Sequence, residues 1–214
     1  SIGFYAGTYA YGDYYAVNAK GLVYKLDADT MTGYGMTSGP QMVALTYNYH
    51  DNSYYGIELV YSSTLSTYYF VRMNPATGEV KRLFKLDDSV HGNPAGGLAV
   101  DYDGNIYLDS NVLIMNGRLA QRRLIRFNLD ENDQVVNLTY GFLGNVTSIS
   151  NYGAMTWSEE NGGLFMVDNV GALYFLDPTD LSNLQVVQVG TMTGLNSSGQ
   201  AFNMGLAMIP REEP

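Results

Sequence analysis

The chain is 214 residues long, 46% hydrophobic and only 15% charged, with a net charge of −10. That length suits one domain with a sizeable core, and the composition excludes a disordered chain. The acidic balance argues against nucleic acid and anionic membranes, which call for basic stripes, and the lack of cysteine excludes disulfides, cysteine-ligated zinc and a thiol nucleophile.

From the N-terminus, residues 3–37 break into FYAGTYAYGD, YYAVN, GLVYKLDADT and a weak last run. Each run is short, rich in Val, Leu and Tyr, and closed by Gly, Asn or Asp, which predicts strands joined by tight turns. Residues 42–86 repeat the pattern as MVALTYNYHDN, SYYGIE, TYYFVRMNPATGE and VKRLFKL. A third copy starts at Gly97 with GLAVDYDG and NIYLDSN and goes on to RRLIRFNLDEND and QVVNLTYGFLG. The fourth starts near Tyr152 with GAMTWSEENG, GLFMVDNV, GALYFLDPTD and LQVVQVG. Residues 204–209 repeat the first strand alone.

Aligned, the copies form columns. Ala6, Ala44, Ala99, Ala154 and Ala207 share one position, and three residues on stand Tyr9, Tyr47, Tyr102 and Trp157. A small residue followed by a ring suits an innermost strand, where repeats converge. The third strands end in Asp27, Asn74, Asn128 and Asp177, each expected to open a turn through its own side chain. Two places earlier, Lys25, Arg72 and Arg126 read as solvent-facing, with Phe175 the exception. Four-stranded units repeated in this way predict an all-β fold, a β-propeller of four-stranded antiparallel blades. The blade count is four, with five as the alternative raised by the fifth inner strand. A single domain is expected over residues 1–209, with blades near 1–39, 40–94, 95–150 and 151–190. An inner strand at 203–209 would close the first blade, and residues 210–214 would open a linker. Loop insertions are expected at 59–67, 87–96, 110–121 and 191–203.

The stretches Tyr24-Lys25-Leu26-Asp27 and Val71-Arg72-Met73-Asn74-Pro75-Ala76-Thr77-Gly78, with GLAVDYDGNIYLDSN, resemble the repeats of extracellular bacterial β-propellers. The resemblance covers nearly the whole chain and is specific to a style of repeat, not to an activity. It implies a module of a secreted or surface protein within a longer multidomain chain. The Trp-Asp signature of WD40 repeats is missing.

In a propeller, the loops between second and third strands share a face with the links between blades, and rigid blades presenting variable loops commonly place function there. The second strands are read as ending in Asn18, Glu58, Asp109 and Asp168, a polar ring able to meet a sugar, a polyol or a cation. Tyr61, His91, Asn93, Asn111 and Trp157 stand nearby as further candidates. The competing reading of the ring is turn chemistry, since Asp and Asn at strand ends accept backbone N–H groups. Trp157 fits the core, His50 a solvated turn. Asp101-Tyr102-Asp103-Gly104-Asn105 resembles the start of a calcium loop, but Val112 occupies the position of the closing Glu, so a hairpin turn is expected. Two histidines without cysteine leave no zinc ligand set, and no metal, cofactor or membrane insertion is expected.

The function this supports is a non-catalytic extracellular binding module for a glycan or a protein. The alternatives are a small-propeller glycoside hydrolase or lyase using Glu58 with Asp109 or Asp168, and a purely structural spacer. Propeller glycosidases resemble this chain less, because the inner-strand position of their acids reads Thr8, Thr46, Asp101 and Thr156 here.

Overall fold

A computed structural model describes residues 4–27, 30, 32–62, 65–114, 119–143, 154–168 and 171–191. These form sixteen strands in four antiparallel sheets arranged as a four-bladed β-propeller. Blade 1 holds β1 (Phe4–Ala10), β2 (Asp13–Asn18), β3 (Leu22–Asp27) and β4 (Gly33–Ser38). Blade 2 holds β5 (Met42–Asn48), β6 (Ser53–Tyr61), β7 (Ser66–Met73) and β8 (Val80–Lys85). Blade 3 holds β9 (Asn93–Val100), β10 (Ile106–Ile114), β11 (Leu119–Leu129) and β12 (Val135–Phe142). Blade 4 holds β13 (Ala154–Ser158), β14 (Gly163–Val167), β15 (Ala172–Asp177) and β16 (Gln185–Thr191), with a 3₁₀ turn at Leu181–Asn183. Within every blade the strands lie in chain order, so each joins its neighbour by a hairpin. The inner strands touch in sequence, β1 to β5 to β9 to β13. The expected inner strand at 203–209, the linker at 210–214 and most of the expected insertion at 191–203 lie outside the described residues.

Alternation along the strands sends side chains to both sides of each blade, and the core is three seams between facing sheets. Val17, Val23, Val71 and Met73 fill the seam between blades 1 and 2. Tyr55, Phe70, Ile106, Ile125 and Phe127 fill the next, and Tyr107, Leu124, Leu164, Met166 and Leu176 the last. Phe70 and Phe127 meet edge to face at 5.5 Å between ring centroids. Burying a ring of this size stabilises by about 1.5–3 kcal/mol, so the seams carry the fold.

Two expectations about the frame change. The stretches 59–67 and 110–121 are largely strand: the hairpins continue to Tyr61 opposite Ser66 and to Ile114 opposite Leu119. Extra residues inserted in register lengthen both arms of a hairpin, because every added pair satisfies its own backbone groups. Glu58 and Asp109 therefore sit inside β6 and β10, not at their ends. The alanine column also slips in blade 3. Ala6, Ala44 and Ala154 pair with the residue before Asn18, Glu58 and Asp168, but Leu98, not Ala99, faces the residue before Asp109.

The same slip carries Tyr102 out of the strand into the β9–β10 turn. Asp101 makes that turn, its Oδ1 accepting from the N–H groups of Asp103 at 3.1 Å and Asn105 at 2.8 Å. Asp27, Asn74 and Asp177 open their turns as expected, accepting from the N–H groups of Thr30, Ala76 and Thr179. Asn128 does not: β11 runs past it, Asp130 caps the turn, and Asn128 donates to the Gly104 carbonyl instead. The basic column is not simply solvent-facing either. Arg72 lies over the Tyr55 ring and reaches Asp133 of blade 3 at 2.9 Å, where Lys81 joins at 2.6 Å. This ion-pair group ties blades 2 and 3 together.

Candidate functional site

At the end of the molecule that carries the β2–β3, β6–β7, β10–β11 and β14–β15 connections, the polar ring is buried and engaged. Asn18 Oδ1 accepts from the N–H groups of Lys20 at 2.9 Å and Leu22 at 3.0 Å. Asp168 does the same for Ala172 N–H at 2.8 Å and also accepts from the Tyr174 hydroxyl at 3.3 Å. Where the hairpins are longer, the column meets arginine instead. Glu58 takes Arg82 through Nε at 2.6 Å and Nη2 at 2.9 Å, and the Arg82 guanidinium lies over the Tyr69 ring. Asp109, fully buried, takes Arg122 through Nε at 2.8 Å and through Nη2. A bidentate guanidinium engages both carboxylate oxygens of each acid. One column thus has two solutions: backbone amides at tight turns and arginine at extended hairpins.

The other candidates are scattered in role and in place. His91 is buried against Phe84 and Phe127, ring centroids 5.5 and 6.5 Å away. Its Nδ1 accepts from Asp87 N–H at 3.1 Å, and its Nε2 is buried without a partner among the described residues. The Ser110 hydroxyl donates to the carbonyls of His91 and Asn93, fixing the link between blades 2 and 3. Asn93 and Asn111 pair across β9 and β10, and Tyr61, 65% exposed, ends β6. Trp157 stands instead toward the opposite end, beside the β13–β14 turn: it is partly buried, stacks on Tyr107 at 5.8 Å, and its indole N–H donates to Glu159.

At the opposite end, carrying the hairpin turns of the inner strands, lies a cluster the column reading did not single out. Tyr11 of blade 1 meets Tyr47 at 5.4 Å and Tyr49 at 6.1 Å between centroids. Tyr47 packs on Tyr49 at 4.8 Å and on Tyr54 at 4.7 Å, and Tyr49 meets Tyr102 of blade 3 at 5.3 Å. Tyr11 and Tyr102 remain 70% and 46% exposed, while Tyr47 is buried as the floor. Burial pushes the hydroxyls of Tyr47, Tyr49 and Tyr54 upward, so they stay protonated donors. Tyr55, beneath, is pushed up to about 12 by burial and by its bond to Asp51.

Backbone geometry at this end is unusual. Tyr11 has φ 51° and Gly12 φ 84°, forming the two-residue hairpin turn whose mirror-type geometry matches strand twist. A bulky side chain in this region is strained, and Asn52 shares the conformation with φ 56°. Asn tolerates that region, and the two residues are joined directly: Asn52 Oδ1 accepts from the Tyr11 hydroxyl at 2.7 Å and from Tyr47 at 3.1 Å. His50, exposed as expected, lies against Gly104 at the edge of the cluster. The tyrosine column of the inner strands was the available sequence signal, but it shows only a repeated position, not that three blades bring their rings into contact.

No known protein family matches the chain, and no curated protein sequence does. Solved structures do match in fold. A protein of unknown function from Bacteroides thetaiotaomicron has a TM-score of 0.51 at 16% identity, over 87% of this chain and 43% of that one. A DUF4623 family protein from Bacteroides eggerthii has a TM-score of 0.51 at 8% identity, over 95% of this chain and 45% of that one. A gluconolactonase from Xanthomonas campestris is similar at 13% identity, over 84% of this chain and 60% of that one, but its TM-score of 0.49 carries no argument. The chain spans less than half the length of the two Bacteroides proteins. At these identities the likeness defines a fold class, the β-propeller, and nothing narrower.

Proposed function

We propose that the chain is a non-catalytic, extracellular binding module of a larger protein, recognising a glycan or protein ligand through the tyrosine-covered end of the propeller. The observation that carries this reading is the cluster of Tyr11, Tyr49 and Tyr102, supplied by three blades and open to solvent above a buried tyrosine floor. Exposed aromatic surface on a rigid scaffold favours ligand contact over packing, since packing would have buried it. The spent state of Glu58 and Asp109 weighs against the hydrolase alternative. The loop end named by the sequence keeps a structural role in this reading.

The test is a glycan and protein binding array, with bound glycans followed for release of reducing ends. Retention without release is expected. Release of reducing ends by the wild-type chain would overturn the non-catalytic reading.

A further inference from the structure

We propose that the ligand of the tyrosine end is an uncharged oligosaccharide chain laid across Tyr11, Tyr49 and Tyr102; this rests on the binding-module reading above. Size decides first. A tyrosine offers roughly 150–250 Å² of surface, so the exposed parts of these three rings come to about 300 Å². A stable protein partner takes about 800 Å² on each side. The cluster is too small for that. The rings are tilted to one another by 64° and 54°, so the cluster suits a narrow, twisted chain that meets each ring in turn.

Charge decides next. The chain carries −10 overall, and Asp51 and Asp103 lie in the same turns as Tyr49 and Tyr102. An acidic polysaccharide or a nucleic acid would be repelled. A quaternary ammonium needs rings standing around an open space. Here neighbouring rings of the cluster stand 4.7–6.1 Å apart by their centroids, in packing contact, so the space between them is filled. Ligands must lie on top, where a pyranose can place its C–H face against the rings.

The polar groups fit the rim of a sugar. Asn52 is exposed, and its carbonyl oxygen is held by Tyr11 and Tyr47. That orientation leaves its two amide N–H donors for a ligand hydroxyl, since no described residue takes them. Finally, the hydrogen bonds from the Tyr11 and Tyr47 hydroxyls to Asn52 hold these residues in place before a ligand arrives. Tyr11, a bulky residue kept at positive φ and tied to Asn52, marks a surface set for contact.

The experiment is calorimetric titration of the full chain with cellohexaose, xylohexaose, maltohexaose and mannohexaose, beside oligogalacturonate and tetramethylammonium. Binding of at least one neutral hexasaccharide is expected. Affinity should fall about tenfold or more in Tyr102→Ser, the loss of one stacked ring. Tyr11→Asn should lose as much while keeping the turn, because Asn tolerates positive φ. Tyr61→Ala, at the other end, should bind like wild type. Preference for oligogalacturonate or tetramethylammonium overturns the inference, as does neutral-sugar binding lost in Tyr61→Ala but kept in Tyr102→Ser. A protein ligand that binds through Tyr102 while no sugar does overturns the ligand class yet leaves the binding-module reading standing. If neither sugars nor proteins are retained on the array, both fall.

Discussion

Asp109 shows how much a single side chain can commit to the frame. Its carboxylate is fully buried and faces the Arg122 guanidinium, itself nearly buried, in a bidentate pair. Removing one member of such a pair strands the other charge where water cannot reach it. Asp109→Ala is therefore expected to cost about 3–5 kcal/mol in urea unfolding. The double replacement Asp109→Leu with Arg122→Met should recover most of that loss, because matched apolar groups remove both desolvation penalties. An Asp109→Ala chain as stable as wild type would show that the pair is not the structural clamp described. From the sequence, Asp109 looked like a ligand-facing acid: its column was visible, but its partner, Arg122, stands far enough along the chain that only folding brings them together.

Among the elements, the fourth strand of blade 3 is held by a close approach. Gly141 of β12 packs on the 3₁₀ turn of blade 4, and a Cβ there would lie well inside contact distance of the Leu181 carbonyl oxygen. Backbone cannot move aside as a flexible side chain can. Gly141→Ala should cost about 1–3 kcal/mol by overpacking, read as a fall in Tm. Gly190 of β16 is the counterpart, since a Cβ there meets nothing within 4 Å. Gly190→Ala should leave Tm unchanged or raise it, through the lower entropy of the unfolded chain. Equal effects at both sites would contradict the blade contact. Both glycines occur in similar fourth-strand runs in the sequence, and nothing local distinguishes them.

For the molecule as a whole, the seam between blades 2 and 3 links stability to pH. Burial pushes the His91 imidazole down, against a weaker upward pull from the Asp87 carboxylate. The folded group therefore takes its proton at lower pH than the unfolded one, whose ordinary value is about 6.5. Protonation favours the unfolded chain, so stability is full above about pH 6.5 and is lost as pH falls through the folded value. Geometry agrees, because protonation would turn the Nδ1 that accepts from the Asp87 N–H into a donor facing a donor. The unfolding free energy should fall between pH 7 and 5.5, a window above most carboxylate titration. His91→Asn, which keeps an acceptor side chain, should flatten that slope. A slope unchanged in the variant would assign it to other groups.

What the sequence determined by itself was the repeat: short strands, turn residues at fixed places, four hairpin-linked blades. Those features depend on residues a few positions apart, and alternation and turn chemistry are written at that range. Tertiary structure alone decided which of the repeated positions were spent. The acids at Glu58 and Asp109 are closed by Arg82 and Arg122, while Tyr11, Tyr49 and Tyr102, from three separate blades, meet at the other end. A contact across seams is set by how sheets stack and by one-residue shifts such as that of β9. Such shifts leave the local pattern intact, and so cannot be read from it.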